Sequence, residues 1–405
     1  MSRTFSSKLT LLALSLTFVP LYAQETAPVV VTPPAQTVPQ QPATVPPTVP
    51  AQQPEAQTPA NPPADQDPLT LREAQSKPGR DVTGKEPKDS ASKVDEDKPL
   101  AADKVHNPVI WHDPGNVASL DLLHGQGGEK HAPKPPFTFI SEDKSGTNPK
   151  FNVNDADGKK WRVKLGEESR PEVVASRLLW AMGYYANDDY LLPEADVANL
   201  KMSRGNIKGT HITDARFARK PGGTNKIAIW EWKNNPFYGK REFNGLRVMM
   251  AVMNNWDLKD INNAVWYDKN NDQQIFLVSD VGATFATNSL KTSRSKDKGN
   301  VESFKNSKFI TQTTASTVSF GTPSAPTGIM IKTLGIRAPE YARRKGFDWI
   351  GRDIPIEDAR WIGGYLSQLT HEQLVDAFRA GNFPRDEVDT YVEIVQNRIA
   401  ELKHL

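Results

Sequence analysis

At 405 residues the chain is long enough for one large domain or two, and its 50 lysines and arginines nearly balance 48 aspartates and glutamates. A formal charge of +2 lacks the basic excess of a whole-protein nucleic-acid binder, so nucleic acid is not expected as a partner. With no cysteine there is no disulfide, no thiolate zinc site and no thiol nucleophile.

Residues 1–23 read as a signal peptide, with Arg3 and Lys8 as the positive start, Leu11 to Val19 as a short apolar core and Ala23 at a plausible cut site. The apolar run is short for a bilayer span, although an uncleaved anchor is the alternative. No other stretch is long and apolar enough to cross a membrane, so an exported protein, periplasmic or secreted, is expected. Residues 24–104 form a proline-rich segment in which no aromatic residue occurs between Tyr22 and Trp111. Without large apolar groups it cannot offset the entropy of ordering, which predicts an extended, disordered linker. Its PxxP-like spacings could meet an aromatic groove, but a plain spacer accounts for them.

Residues 105–136 are expected as an irregular arm anchored by Trp111, Leu122 and Leu123. His106, His112, His124 and His131, with Asp113, are residue types that suit zinc or iron, but their irregular spacing favours the arm. Residues 137–235 read as β-rich. Runs at Phe137–Ile140 and around Phe151 and Val153 precede Trp161-Arg162-Val163-Lys164-Leu165, whose alternation puts Trp161, Val163 and Leu165 on one face and Arg162 and Lys164 on the other. A strand lysine can reach the phosphates of a nucleotide, or simply face solvent. Gly146, between Ser145 and Thr147 in the first hairpin, lies where a phosphate-covering loop would, and turn chemistry explains it equally well.

An apolar helix from Val173 to Tyr184 follows. Ser169 and Glu172 stand in capping-box spacing with Pro171 in the first turn. Glu172 is therefore either a cap or an ion-pair partner of Lys164. Residues 185–226 show only one probable strand, near Tyr190 to Leu192, and Ile227 to Trp232 reads as another. Residues 236–405 are expected to be mainly helical. Phe243 to Met253 is apolar nearly all round, as a core helix is, and delivers the chain into Asn254-Asn255-Trp256-Asp257.

The stretch from Asn254 to Phe285 carries the chemistry. Asp257 is followed five residues later by Asn262; Ala264–Tyr267 and Gln274–Val278 read as a hairpin; Asp280-Val281-Gly282 comes at its exit. A phosphoryl-transfer site needs a carboxylate near the attacking hydroxyl, plus an amide and a second carboxylate for the metal. Asp257 fits the first role and Asn262 and Asp280 the second, with Asp260 and Asn263 as competing candidates. Gly282 lets the backbone turn close to the phosphates. The turn Asp268–Asp272 resembles the start of an EF-hand loop but lacks its glycine and terminal glutamate, so calcium is not expected there.

The stretches WRVKLGEESRPEVVASRLLWAMGY, NNWDLKDINNAVW and FLVSDVGATF resemble atypical protein-kinase-like proteins of the HipA, CotH and secretory-pathway casein kinase types. From His106 onward the chain also resembles a group of exported bacterial proteins. The kinase resemblance implies an α+β, two-lobed fold with a small antiparallel β lobe and a mainly helical C-terminal lobe. It also implies that Lys164 binds phosphate with Glu172 beside it and Gly146 above, that Asp257 is catalytic, and that Asn262 and Asp280 hold Mg or Mn with ATP. The activity implied is transfer of a phosphoryl group to a hydroxyl of a protein, lipid or glycan. Trp256 stands where many kinases have arginine, and the Gly-rich loop is nearly absent. These departures make a catalytically inactive binding or scaffold protein of the cell envelope the alternative.

Beyond Phe285, residues 288–328 read as a long polar loop with Lys291, Arg294, Lys296 and Lys298, and Arg343-Arg344-Lys345 makes another basic cluster. Helices are expected over Ile356–Leu366, Glu372–Phe378 (with Thr370 and Gln373 in capping-box spacing) and Glu387–Leu402.

Overall fold

The computed structural model describes residues 96–405 except 147, 206, 208, 220–222, 287–297 and 322–344. The signal segment, most of the linker, Lys291, Arg294, Lys296, Arg343 and Arg344 lie outside the described residues. Mixed α and β structure results, with six α-helices and three sheets among those residues, one sheet being a closed five-stranded barrel.

Three strands open the barrel as an antiparallel meander: β2 (Phe137–Asp143), β3 (Lys150–Asn154) and β4 (Lys160–Lys164). The first short strand, β1 (Pro108–Val109), belongs to another sheet. β4 pairs with β6 (His211–Arg219), β6 with β5 (Asp188–Ala198), and β5 closes on β2 in parallel. Phe137, Phe151, Val153, Trp161, Val163 and Phe217 fill the interior. The expected antiparallel β structure is present as a closed barrel, antiparallel except where β5 meets β2. The strands that close it come from residues 185–226, where Pro193 and outward-facing polar residues obscure alternation. Closure leaves no long unpaired edge.

Helix α1 (Ser169–Ala181) packs on the outside of the barrel and is buried along nearly its whole length. The expected capping box does not form. Glu168 is the N-cap residue and contributes no side-chain cap bond; the Ser169 hydroxyl instead donates to the Lys164 carbonyl at 2.8 Å. Glu172 is drawn into ion pairs with two buried cations, which outweigh a single amide partner. Arg162 and Lys164 do share the outer side of β4, but their environments differ. The Arg162 side chain is 53% exposed, whereas α1 covers Lys164 to 2%.

The second sheet runs β1, β9 (Gln273–Val278), β8 (Asn263–Asp268), β7 (Thr224–Ala228). β8 and β9 form the expected hairpin. Helix α2 (Arg241–Val252) lies in the main core, and its one buried cation, Arg247, donates to the carbonyls of Ile350, Trp349 and Arg352. The expected strand at Ile227–Trp232 starts and ends earlier, and Ile229 forms a parallel bridge with Pro99. That bridge also corrects the linker boundary. Leu100 donates to the Ile229 carbonyl and Ile229 to that of Lys98, so residues 98–100 gain backbone partners without any aromatic anchor.

The arm contributes β1 to the second sheet and inserts Ile110, Val117 and Leu122 into the main core, while Trp111 packs on Trp361 and Tyr365. Its four histidines do not converge: His106 meets Asp272, His112 packs on Tyr185, His124 meets Asp121, and His131 lies near Asp188.

The polar stretch beyond Phe285 is more ordered than expected where it is described. It forms α3 (Val301–Lys305) and the hairpin β10 (Ile310–Thr313) to β11 (Thr317–Phe320), which continues to β12 (Ile354–Pro355). Buried Phe304, Phe309, Val318 and Phe320 anchor it, spaced too widely to show as an apolar run. Helices α4 (Ile356–Leu366), α5 (His371–Ala380) and α6 (Arg385–Lys403) complete the chain. The Thr370–Gln373 capping box forms as expected.

Trp161 is fully buried in the barrel, with its indole N–H on Asp155 at 2.9 Å. Trp161→Ala should lower stability by about 3–5 kcal/mol in urea unfolding. A loss below about 1 kcal/mol would show that the barrel interior is not a core.

Candidate functional site

β4 ends at Lys164, and α1 starts a few residues later, so the lysine at the rim of the barrel meets the first turn of the helix. Its ammonium nitrogen lies 2.9 Å from Glu172, 3.2 Å from Asp280 and 2.6 Å from Glu168. Behind Glu172, Arg216 sits directly opposite Lys164 on β6 and reaches the second Glu172 oxygen at 2.8 Å. Arg216 is held in turn by Asp189 at 3.1 Å, and Ser176 donates to the other Asp189 oxygen at 2.5 Å.

Burial alone would push the Lys164 pKa down, but Glu172, Asp280 and Glu168 outweigh it and hold the ammonium above the ordinary lysine range. Burial pushes Glu172 up to about 7, against the pull of Arg216 and Lys164. Asp280 keeps 39% of its side chain exposed. The protein around it would raise its pKa, yet Lys164 and Arg216 hold it well below the usual carboxylate range. Lys150, facing Lys164 across the β3–β4 ladder, is lowered by burial and by that neighbouring charge.

The β8–β9 hairpin joins the two acidic motifs. Asn263 pairs with Val278 at its open end, so the residues just outside it face each other. The Asn262 carbonyl accepts from the amides of Ser279 at 2.8 Å and Asp280 at 3.2 Å, and the Asn262 side-chain amide donates to the Asp257 carbonyl at 2.6 Å. The Asp257 carboxylate is 23% exposed and lies 2.7 Å from Lys259. The competing candidates have other contacts. Asp260 accepts from the Trp232 amide at 2.9 Å, and the buried Asn263 side chain donates to the Trp230 carbonyl at 2.9 Å.

Two non-glycine residues beside these motifs have left-handed backbones, Asn254 at φ 54° and Phe285 at φ 54°. Such conformations cost about 1–3 kcal/mol each and persist where surrounding structure enforces them. Here Phe285 donates its amide to the Met253 carbonyl, and the Asn254 side chain donates to the Ala286 carbonyl. Gly146 lies in the β2–β3 turn at φ 66°, and Arg204 donates to its carbonyl at 2.9 Å. A Cβ on Gly146 would lie 3.1 Å from the Lys150 ammonium, so the turn approaches Lys150 rather than Lys164.

Of the residues singled out from sequence, Lys164, Glu172 and Asp280 form one ion cluster, and Asp257 and Asn262 join it through the backbone. Glu168, Arg216, Asp189, Lys150 and Lys259 escaped sequence reasoning. Lys259 and Glu168 were visible as charges two and four residues after Asp257 and Lys164. Arg216 and Asp189 lie in the stretch where only Tyr190 to Leu192 read as a strand. Among the described residues, no group of three or more His, Cys, Asp or Glu side chains is placed to hold a metal ion, and the EF-hand-like turn spends its carboxylates on Asn270, Asn271, Tyr267 and His106.

No family model and no curated protein matches the chain. Among solved structures it is similar to the Helicobacter pylori proinflammatory kinase CtkA, at 11% identity and a TM-score of 0.34, over 66% of this chain and 93% of that one. A likeness at this level carries no argument about activity.

Gly282 packs its backbone on Glu168, and a Cβ there would lie 2.6 Å from the Glu168 Cβ. Gly282→Ala should therefore lower stability by about 1–3 kcal/mol, measured by urea unfolding, by forcing Glu168 aside. A carboxylate held low in the folded chain contributes stability that is present above its ordinary pKa of 3.8 and lost as pH falls through the depressed value. Unfolding of Asp280→Asn from about pH 5 down to about pH 2 should accordingly show a shallower loss of stability toward acid than wild type. Parallel curves would remove Asp280 from the acid limb.

Proposed function

We propose that the chain is an exported kinase-like phosphotransferase that moves a phosphoryl group from a Mg- or Mn-bound nucleotide, ATP in the first instance, to a hydroxyl acceptor. One observation carries the reading: the Lys164–Glu172 pair and the two acidic motifs, distant in sequence, meet at Asp280. On this reading the barrel with α1 is the smaller lobe of a two-lobed kinase-like fold, and α2 with the C-terminal helices belongs to the larger.

Each residue then has a role that its surroundings support. Lys164 meets the α and β phosphates, held at the strand end by Glu172. Asp257 orients the acceptor hydroxyl and accepts its proton as the oxygen attacks the γ-phosphorus. The bond to the departing nucleoside diphosphate breaks with its electrons on the leaving oxygen. Gly146 and its turn cover the phosphates.

Asn262 and Asp280 would hold the metal, which supplies neutralisation of phosphate charge. An amide and a carboxylate are hard oxygen donors suited to Mg or Mn. Residues 1–23 support export, which makes protein, lipid or glycan hydroxyls of the cell envelope the acceptors to test. No helix among the described residues is long and apolar enough to cross a membrane.

Thermal unfolding with ATP plus Mg²⁺ or Mn²⁺ provides the test. The melting temperature should rise with nucleotide and metal together. Asp280→Ala should lose the metal-dependent part of that rise, and Asp257→Ala should keep it while turnover falls by roughly 10²–10⁴. No rise with any nucleotide and metal would sink the proposal.

A further inference from the structure

An ammonium group has three N–H donors, and at Lys164 three carboxylates already surround them: Glu172, Asp280 and Glu168. A phosphate that is to bind Lys164 has to displace one of these. Glu172 is the least able to leave, because its side chain is 1% exposed and Arg216 holds its other oxygen at 2.8 Å. Asp280 belongs to the motif assigned above to the metal. Glu168 differs from both. It lies at the end of the loop that joins β4 to α1, it makes the shortest of the three contacts, and it has other partners at hand. Asn148 donates to the same oxygen that meets Lys164, at 2.5 Å, and Lys298 meets the second oxygen.

We propose that Glu168 is an internal competitor for the phosphate site, its carboxylate occupying the Lys164 position that a nucleotide phosphate takes. This rests on the phosphotransferase reading and adds its regulation. The stem of Glu168 lies against Gly282 of the Asp-Val-Gly motif, so the carboxylate occupies the space between Lys164 and that motif, where the phosphates belong. When nucleotide enters, Glu168 gives up Lys164, and Lys298 and Asn148 remain to compensate its charge. Burial and Asp280 both work to raise the Glu168 pKa, but Lys164 and Lys298 keep it low, so at neutral pH the competitor is a full anion. The apparent affinity for nucleotide is then the intrinsic affinity reduced by the fraction of molecules in which Glu168 has moved away.

Calorimetric titration of the wild-type chain with Mg-ATP, beside Glu168→Gln, tests this. Glutamine keeps the stem against Gly282 but removes the charge that competes. The dissociation constant should fall by roughly tenfold, whereas Glu167→Gln, which removes the neighbouring exposed charge, should change it by less than about twofold. Glu168→Ala should tighten binding in the same way, and it serves if the glutamine variant does not reach the wild-type far-UV spectrum. Unchanged or weaker binding in both Glu168 variants, with clear binding by wild type, would overturn the competitor role and leave the nucleotide reading standing. Equal tightening by Glu167→Gln would reduce the effect to general charge and also overturn it. Absence of binding in wild type and variants alike would remove both.

Discussion

A lysine side chain left only 2% exposed sets the terms for its surroundings. Taking such a charge out of water is costly unless opposite charges and hydrogen bonds meet it from several sides. The fold compounds the problem by placing Arg216 directly opposite Lys164 on the neighbouring strand, where like charges repel. Glu172 between them resolves it, one oxygen to each cation, and that requires α1 to begin where it does. The start of the helix, the register of β4 against β6 and the approach of the Asp280 segment together meet this requirement for charge compensation.

The cluster does not supply the stability of the fold. Desolvating several charges at once roughly cancels their attraction, and the net gain comes from apolar burial. That burial lies on both sides of the ions: the barrel interior around Trp161 and Phe217, and the larger core that α2 shares with α1 and the C-terminal helices. These two masses also bear the strain at Asn254 and Phe285 and hold the Asp257 and Asp280 segments against each other. Fixed groups of this kind are what a charge-transfer step needs, since reorganising them during reaction would add to its barrier.

Much of this was legible in the chain. The alternation of Trp161, Val163 and Leu165, the all-apolar face of α2, the β8–β9 hairpin and the Thr370 cap are local patterns, and local patterns survive into the structure. The polar stretch beyond Phe285 misled because its apolar residues are spaced singly, one or two per element. Of the strands that close the barrel, β5 was legible only near Tyr190 to Leu192 and β6 not at all, because both carry polar residues on the outer face and β5 contains a proline. The Ser169–Glu172 spacing pointed to a cap that a stronger local interaction displaces.

The sequence by itself determined the residue types of the site and their order: a strand lysine, a helix glutamate, an aspartate and asparagine before a hairpin, and an aspartate and glycine after it. Only the tertiary structure decided their company. Lys164 and Asp280 are 116 positions apart, and nothing in the spacing of either says that they meet, or that Arg216 stands behind Glu172. It also gave the neighbouring carboxylates different partners, setting Asp257 beside Lys259 while Asp260 accepts from the Trp232 amide. The physical reason is one of range. Hydrophobic period and turn chemistry act within a few residues and can be read in line, whereas the energy of a buried charge depends on distances in space that only the packed chain defines.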